Sequence, residues 1–249
     1  MGIRAVRMTS LPLALAMLAI AGVSAATDPR AALKAVVDSI RGTTMRATVT
    51  LSVQRPGQET RYVLAIVSDG QDRSLVQVKA PARDAGQAFL LSGENLWIYS
   101  PRLKRALRLP PSGRSESFLG SDISYNDLGG RDLEQDYTPR MQAEDQASFT
   151  LELTPKPQAP TPYGKVILKA NAQTSAPLEF VFYDQRGQAV KKVTFSEYVK
   201  ASDRLFPTRI AIDDLLRTGN RTFAVYSEYQ FGITIPGACF TLQALESGC

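Results

Sequence analysis

The feature that most constrains the fold is a change of hydrophobic period at residue 45. Met45, Ala47, Val49, Leu51 and Val53 alternate with Arg46, Thr48, Thr50, Ser52 and Gln54, and only an extended strand places every second residue on one face. After the Pro56-Gly57 turn the same signature returns at Tyr62 to Ser68. Asp69-Gly70 turns the chain into Leu75 to Lys79, and Ala88 to Leu91, Leu96 to Tyr99 and Arg105 to Leu109 follow. Connections this short admit no crossover, so neighbours in sequence pair antiparallel. A second series runs through Phe149 to Leu153, Lys165 to Lys169, Leu178 to Tyr183, Val190 to Tyr198, Thr208 to Ile212, Phe223 to Tyr229 and Cys239 to Leu245, for about a dozen strands in all.

Two stretches break the pattern. Asp28 and Pro29 open an amphipathic helix, with Leu33, Val36, Val37 and Ile40 at helical spacing until Gly42 stops it. Ser112 to Gln135 lacks alternation and reads as short helical turns. There Phe118, Leu119, Ile123, Tyr125 and Leu128 supply apolar contacts, Asp122 is a cap and Gly129 a stop. Pro155, Pro157, Pro160 and Pro162 form a rigid connection. A meander this long must hide its edges and one of its faces. The expected fold is therefore mainly β (α+β): a curved antiparallel sheet forming an incomplete barrel, with an N-terminal helix and a helical lid insertion around an apolar hollow.

The N-terminus carries an export signal. Arg4 and Arg7 precede an apolar run of 11 residues, Leu11 to Ala21, and the small residues Val23-Ser24-Ala25-Ala26. A bilayer span takes about 20 apolar residues, so residues 1–25 read as a signal peptide rather than an anchor. With no cysteine at the cleavage site, residues 26–249 are expected as one domain, soluble in the periplasm. Removing two arginines leaves 27 basic residues against 24 acidic, too mild an excess to imply a nucleic-acid partner. Cys239 and Cys249 are the only cysteines. In an oxidising compartment a bridge between them is expected, as a structural tie of the tail, with a free Cys249 as the alternative.

The chain contains no histidine, which removes Ser-His and Cys-His pairs and the usual zinc sets. No nucleotide-binding or nucleophile-elbow motif is present either. The expectation is a protein without catalytic residues, metal or cofactor. Asp122, Asp127, Asp132, Glu134 and Asp136 cluster, but their spacing fits no EF-hand loop, and they read as caps and solvated turns. Arg102, Lys104, Arg105, Arg108 and Arg114 form a basic segment with no acid between them. Alternation groups Arg105 with Leu103, Leu107 and Leu109, while Arg102, Lys104 and Arg108 point outward. An inward Arg105 suits a phosphate or carboxylate at a cavity mouth, although a solvated strand or snorkelling explains it as well. Trp97, Tyr99, Phe180, Phe182, Phe195, Phe206, Phe223 and Phe231 suit either the lining of a lipid-sized hollow or an ordinary core.

Two segments carry a resemblance. The run Ser92-Gly93-Glu94-Asn95-Leu96-Trp97-Ile98-Tyr99-Ser100-Pro101, and the run Arg114-Ser115-Glu116-Ser117-Phe118-Leu119-Gly120-Ser121-Asp122-Ile123-Ser124-Tyr125-Asn126-Asp127-Leu128, resemble the LolA-like outer-membrane lipoprotein-sorting proteins over about residues 87 to 134. The resemblance implies an incomplete antiparallel barrel closed by helices, and a non-enzymatic periplasmic carrier that shields acyl chains between the two membranes. It implies an acylated lipoprotein or lipid as cargo, an inner-membrane permease or transporter as donor and an outer-membrane acceptor, for a monomeric protein. A sensor or adaptor that binds an inner-membrane transport complex is the alternative on the same fold. The expected ligand contacts are Trp97, Tyr99, Arg105, Phe118, Leu119, Ile123, Phe180 and Phe182, with Gly129-Gly130 as the hinge of the lid.

Overall fold

In a computed structural model, which describes residue 2 and residues 28–41, 43–128 and 133–249, the alternating runs pair into one antiparallel sheet of 13 strands. The first meander comprises β1 (Met45–Arg55), β2 (Gln58–Ser68), β3 (Arg73–Ala80), β4 (Ala88–Ser92), β5 (Asn95–Ser100) and β6 (Arg105–Arg108). The second comprises β7 (Tyr137–Glu144), β8 (Ser148–Pro155), β9 (Lys165–Asn171), β10 (Pro177–Tyr183), β11 (Ala189–Ala201), β12 (Arg204–Asp214) and β13 (Arg221–Phe231). The spatial order β6-β5-β4-β3-β2-β1-β13-β12-β11-β10-β9-β8-β7 joins the meanders at a single seam, β1 against β13. The sheet does not close, so β6 and β7 are its edges.

The helices are α1 (Pro29–Ile40), α2 (Tyr125–Leu128), α3 (Leu133–Asp136) and α4 (Leu242–Ser247). The Asp28 carboxylate caps α1, accepting from the backbone N–H groups of Arg30 at 3.2 Å and Ala31 at 3.4 Å. Leu33, Val36 and Val37 of α1 pack on Phe149, Leu151, Leu153, Val166, Leu168 and Phe180. The insertion after β6 packs Phe118 on Val49, Leu51, Leu64, Val78 and Phe89 of the first meander. Ile210 of β12 touches both clusters, so α1 and the insertion cover one and the same face, here called the inner face.

The outer face of β3 to β5 has its own cover. A turn of 3-10 helix at Gly237–Phe240 and α4 lay Cys239, Phe240, Ala244 and Leu245 over Val67, Leu75, Ala88, Leu90 and Tyr99. A disulfide joins Cys239 to Cys249, with Cα atoms 4.8 Å apart. The strand expected at Cys239 to Leu245 is thus helical. Its buried residues recur every four or five positions rather than every two, which a helix, not a strand, brings to one side.

The edge strand β7 escaped the sequence reading because Pro139 interrupts it. Proline cannot donate to a ladder and is tolerated on an edge, where only one neighbour, here β8, is paired. The turn between β2 and β3 requires its glycine twice over. Gly70 has φ +77, and a Cβ there would lie 2.5 Å from the backbone of Thr43. The expected signal peptide at 1–25, residue 2 apart, and its cleavage site lie outside the described residues, as do Gly42, Gly129, Gly130 and Asp132. Among the described residues no helix is long and apolar enough to cross a membrane.

Candidate functional site

Antiparallel register brings inner-face residues of four strands side by side. Phe180 lies opposite Val193 and Phe182 opposite Lys191. Val193 in turn faces Ile212 and Phe195 faces Ile210, and Ala224 of β13 continues the row beside Ile210. Neither α1 nor the insertion fills the space above this floor. A cavity of about 360 Å³ remains, walled by Val37 and Ile40 of α1, by Ile123 and Leu128 of the insertion, and by Leu133, Pro160, Pro162 and Tyr163. Small-molecule sites span about 300 to 1,000 Å³, so the hollow has the size of a binding site and a mostly apolar wall. A second hollow of about 70 Å³ near Met45 and Phe206 is far smaller.

The insertion forms a lid on one side of the cavity. Its first part is a self-closed loop. The Phe118 N–H donates to the Ile123 carbonyl at 2.7 Å, the buried Ser121 hydroxyl donates to the Phe118 carbonyl at 2.6 Å, and Leu119 takes the left-handed conformation with φ 52. Phe118, Phe89 and Tyr125 form a triad of rings with centroids 4.8 to 6.0 Å apart.

Two polar fastenings then tie the lid to the sheet. At the first, Asp122 accepts from Arg55 Nη1 at 3.0 Å and from the Thr222 hydroxyl at 2.7 Å, while the Asp122 N–H donates to Thr222 Oγ1 at 3.0 Å. Arg55 Nη2 also donates to the Gly120 carbonyl at 2.6 Å. At the second, Lys191 Nζ of β11 donates to both Asp127 carboxylate oxygens, at 3.0 and 2.9 Å.

Lys191 is buried among rings. Its Nζ lies 4.6 Å from the Phe182 centroid and 5.0 Å from that of Tyr163. Burial pushes its pKa down, but the charge of Asp127 and the Tyr163 hydroxyl outweigh this and hold it above the ordinary lysine value. Burial, together with Asp127, raises the Tyr163 hydroxyl, against an opposing pull from Lys191.

The residues singled out from the sequence are dispersed. Phe180, Phe182 and Ile123 line the cavity. Phe118 is only 1% exposed and belongs with Leu119 to the packing beneath the lid. Trp97 and Tyr99 lie on the outer face under the C-terminal cover. Arg105 shares its face with Leu107, which pairs with Ile98, as alternation required. Yet β6 is an edge strand, so Arg105 is exposed and absent from the cavity wall, and Leu103 and Leu107 are 62% and 45% exposed.

Asp122 and Asp127, read as caps and solvated turns, are the two carboxylates that fasten the lid; Asp127 also accepts from its own Ser124 N–H at 2.7 Å. The residue missed was Lys191. The signal was present, since Lys191 shares its alternation with Val193 and Phe195. Among the described residues no group of His, Cys, Asp or Glu is arranged to hold a metal ion.

Comparison with known proteins places this geometry. A family model described only as an uncharacterized protein matches residues 70–247. No curated protein matches the chain. Among solved structures, a domain from Vibrio parahaemolyticus named for outer-membrane lipoprotein sorting is 22% identical over 88% of this chain and 98% of its own, with a TM-score of 0.79. A DUF1329 family protein from Desulfovibrio piger is 24% identical over 88% of this chain and 100% of its own, with a TM-score of 0.79. A LolA superfamily protein from Nitrosomonas europaea is 26% identical over 87% of this chain and 98% of its own, with a TM-score of 0.71.

Proposed function

Because the chain belongs to the LolA-like proteins, we propose that it is a non-enzymatic periplasmic carrier, which holds the acyl chains of a lipoprotein or lipid in its inner-face cavity during transfer toward the outer membrane. The observation that carries this reading is the apolar hollow between α1 and the lid, roofed by a segment held through polar contacts rather than by deep packing alone. An acyl chain in water forgoes about 0.8 kcal/mol for each methylene left uncovered. A carrier must cover that surface and then release it. An ion pair can be exchanged for water or for a ligand in a way that a filled core cannot, and it suits a roof that has to move.

The test is native mass spectrometry of the protein taken from periplasmic extract, followed by organic extraction of whatever accompanies it. The expected result is a bound acylated species that leaves on denaturation and is displaced by a fluorescent fatty-acyl probe. A protein that emerges without lipid, refuses the probe and instead captures an inner-membrane transport complex would overturn the carrier in favour of an adaptor.

A further inference from the structure

The second fastening of the lid is asymmetric, and the asymmetry points to a ligand. If the lid lifts, Asp127 keeps partners of its own, because its carboxylate accepts from the Ser124 N–H at 2.7 Å and the Ser124 hydroxyl at 2.9 Å, and its side chain is already 28% exposed. Lys191 keeps only the Tyr163 hydroxyl, which carries no counter-charge. Its side chain is 10% exposed, it is flanked by Phe182 and Tyr163, and the Asp127 carboxylate supplies both of its ion-pair contacts. A buried ammonium stripped of its counter-charge is strongly unfavourable. Opening the lid therefore favours any ligand that brings an anion to the position Asp127 vacates.

The other acids on the cavity wall do not compete for that position. Asp122 is paired with Arg55 and accepts from the Thr222 hydroxyl, and Asp136 is engaged in an interaction of its own. On the β10 side of Lys191 the floor is apolar, with Phe182 opposite it and Val193 and Phe180 next along the ladder; on the β12 side Asp214 lies opposite, its carboxylate accepting from the Leu216 and Arg217 N–H groups at 2.8 and 3.1 Å.

We propose that Lys191 is a headgroup site for an anionic amphiphile, whose phosphate or carboxylate replaces Asp127 on the ammonium while its chain runs over Val193 and Phe180. This inference rests on the carrier reading and narrows the cargo to molecules with an anionic head. The exchange conserves charge: one carboxylate leaves the ammonium for water and Ser124, and one anion takes its place. Anion binding and lid release are then a single event, and a neutral amphiphile, which offers nothing to Lys191, opens the lid less readily.

Isothermal titration of the full mature chain with n-dodecyl phosphate, n-dodecyl maltoside and inorganic phosphate, each below any micelle concentration, tests this. The dodecyl phosphate is expected to bind about tenfold more tightly than the maltoside. Lys191→Gln should abolish that preference and leave maltoside affinity in place. Asp127→Asn keeps the ammonium and weakens only its resident partner, so it should tighten dodecyl phosphate several-fold. Inorganic phosphate alone should give no binding in the range where dodecyl phosphate saturates.

Equal binding of both amphiphiles by the wild type, a preference that survives Lys191→Gln, or no gain in Asp127→Asn overturns the headgroup site and leaves the carrier standing. Binding of inorganic phosphate as tight as that of dodecyl phosphate, lost in Lys191→Gln, replaces the amphiphile with a free anion. Failure of the wild type to bind either amphiphile removes the carrier reading and this inference with it.

Discussion

The first meander is covered on both faces, and the two covers are built on opposite principles. On the outer face the C-terminal turn and α4 bury Phe240, Ala244 and Leu245 against apolar strand residues, and a disulfide closes them into a loop. On the inner face the lid contributes one deeply buried ring, Phe118, with Leu119, Ile123, Tyr125 and Leu128 only partly buried, and is fastened by Asp122 to Arg55 and Thr222, and by Asp127 to Lys191. A covalent loop over an apolar patch has no low-energy open state, whereas an ion pair can find a substitute for either partner. The contrast distinguishes a cover that seals a sheet face from one that guards an opening.

Four experiments break or sharpen this contrast, in decreasing order of expected effect. Phe118→Ala removes the one deep apolar anchor of the lid and should lower global stability by about 3 to 5 kcal/mol, read from the shift of the denaturant midpoint. A small loss there would mean that the lid is not part of the cooperative core. Cys249→Ser opens the short C-terminal loop and should lower stability by about 2 to 3 kcal/mol, with acyl-probe affinity unchanged. Weakened binding in this variant would erase the division of labour between the covers.

Asp122→Ala removes the counter-charge of the Arg55 guanidinium, which keeps only carbonyl acceptors, and the acceptor of the fully buried Thr222 hydroxyl, and should cost about 1 to 3 kcal/mol. Hydrogen exchange should register this as faster exchange at residues 118–128, with α4 protected as before. Acceleration at both covers alike would show that they open together.

The smallest effect concerns alkaline pH. Burial holds the Tyr198 hydroxyl, which donates to the Pro177 and Phe195 carbonyls, up to about 12 against an ordinary 10.0. Below 10.0 both folded and unfolded states keep the proton and stability is flat. Between 10.0 and about 12 the unfolded state loses it first, so stability falls with rising pH. Lys191, also raised, adds a contribution that is complete below the ordinary lysine value of 10.5 and disappears as pH climbs through its own higher value. Thermal melts should therefore shift down across this window, and Lys191→Gln should flatten the upper part of the decline. A melt that is insensitive to pH there contradicts the burial of both groups.

The alternation that begins at residue 45 was enough to read every strand except β7, and their antiparallel pairing, because alternation is a local property, although it also suggested a strand at Cys239 to Leu245 that is helical. What alternation cannot say is which face is inner or where the sheet ends. All of Ala88 to Leu91 is buried, so β4 gives no clue to the side that carries the cavity, and Trp97 and Tyr99 on the neighbouring strand lie against the C-terminal cover instead. Parity put Arg105 on the correct face, but the exposure of that face depends on β6 having no further neighbour. The same parity argument applied to Val190-Lys191-Lys192-Val193 would have found the one lysine that matters, since β11 lies inside the sheet and its inner face is covered. Asp127 was harder to place. Its partner is 64 positions away, and no local pattern announces a contact at that distance.

The seam between β1 and β13 has a consequence for how such a chain comes into being. Every other ladder joins strands adjacent in sequence, so the hairpins of each meander can form as soon as they are made. The seam alone pairs β1 with β13, the first and last strands of the sheet in chain order. Until β13 is complete, β1 carries a row of unmet backbone donors and acceptors from Met45 to Gln54, the kind of exposed strand edge that recruits other chains. A polypeptide interrupted after β12 would not settle into a smaller version of this sheet. It would hold two sticky edges in the middle of its architecture, and aggregation, rather than a smaller folded domain, is the outcome such an edge favours.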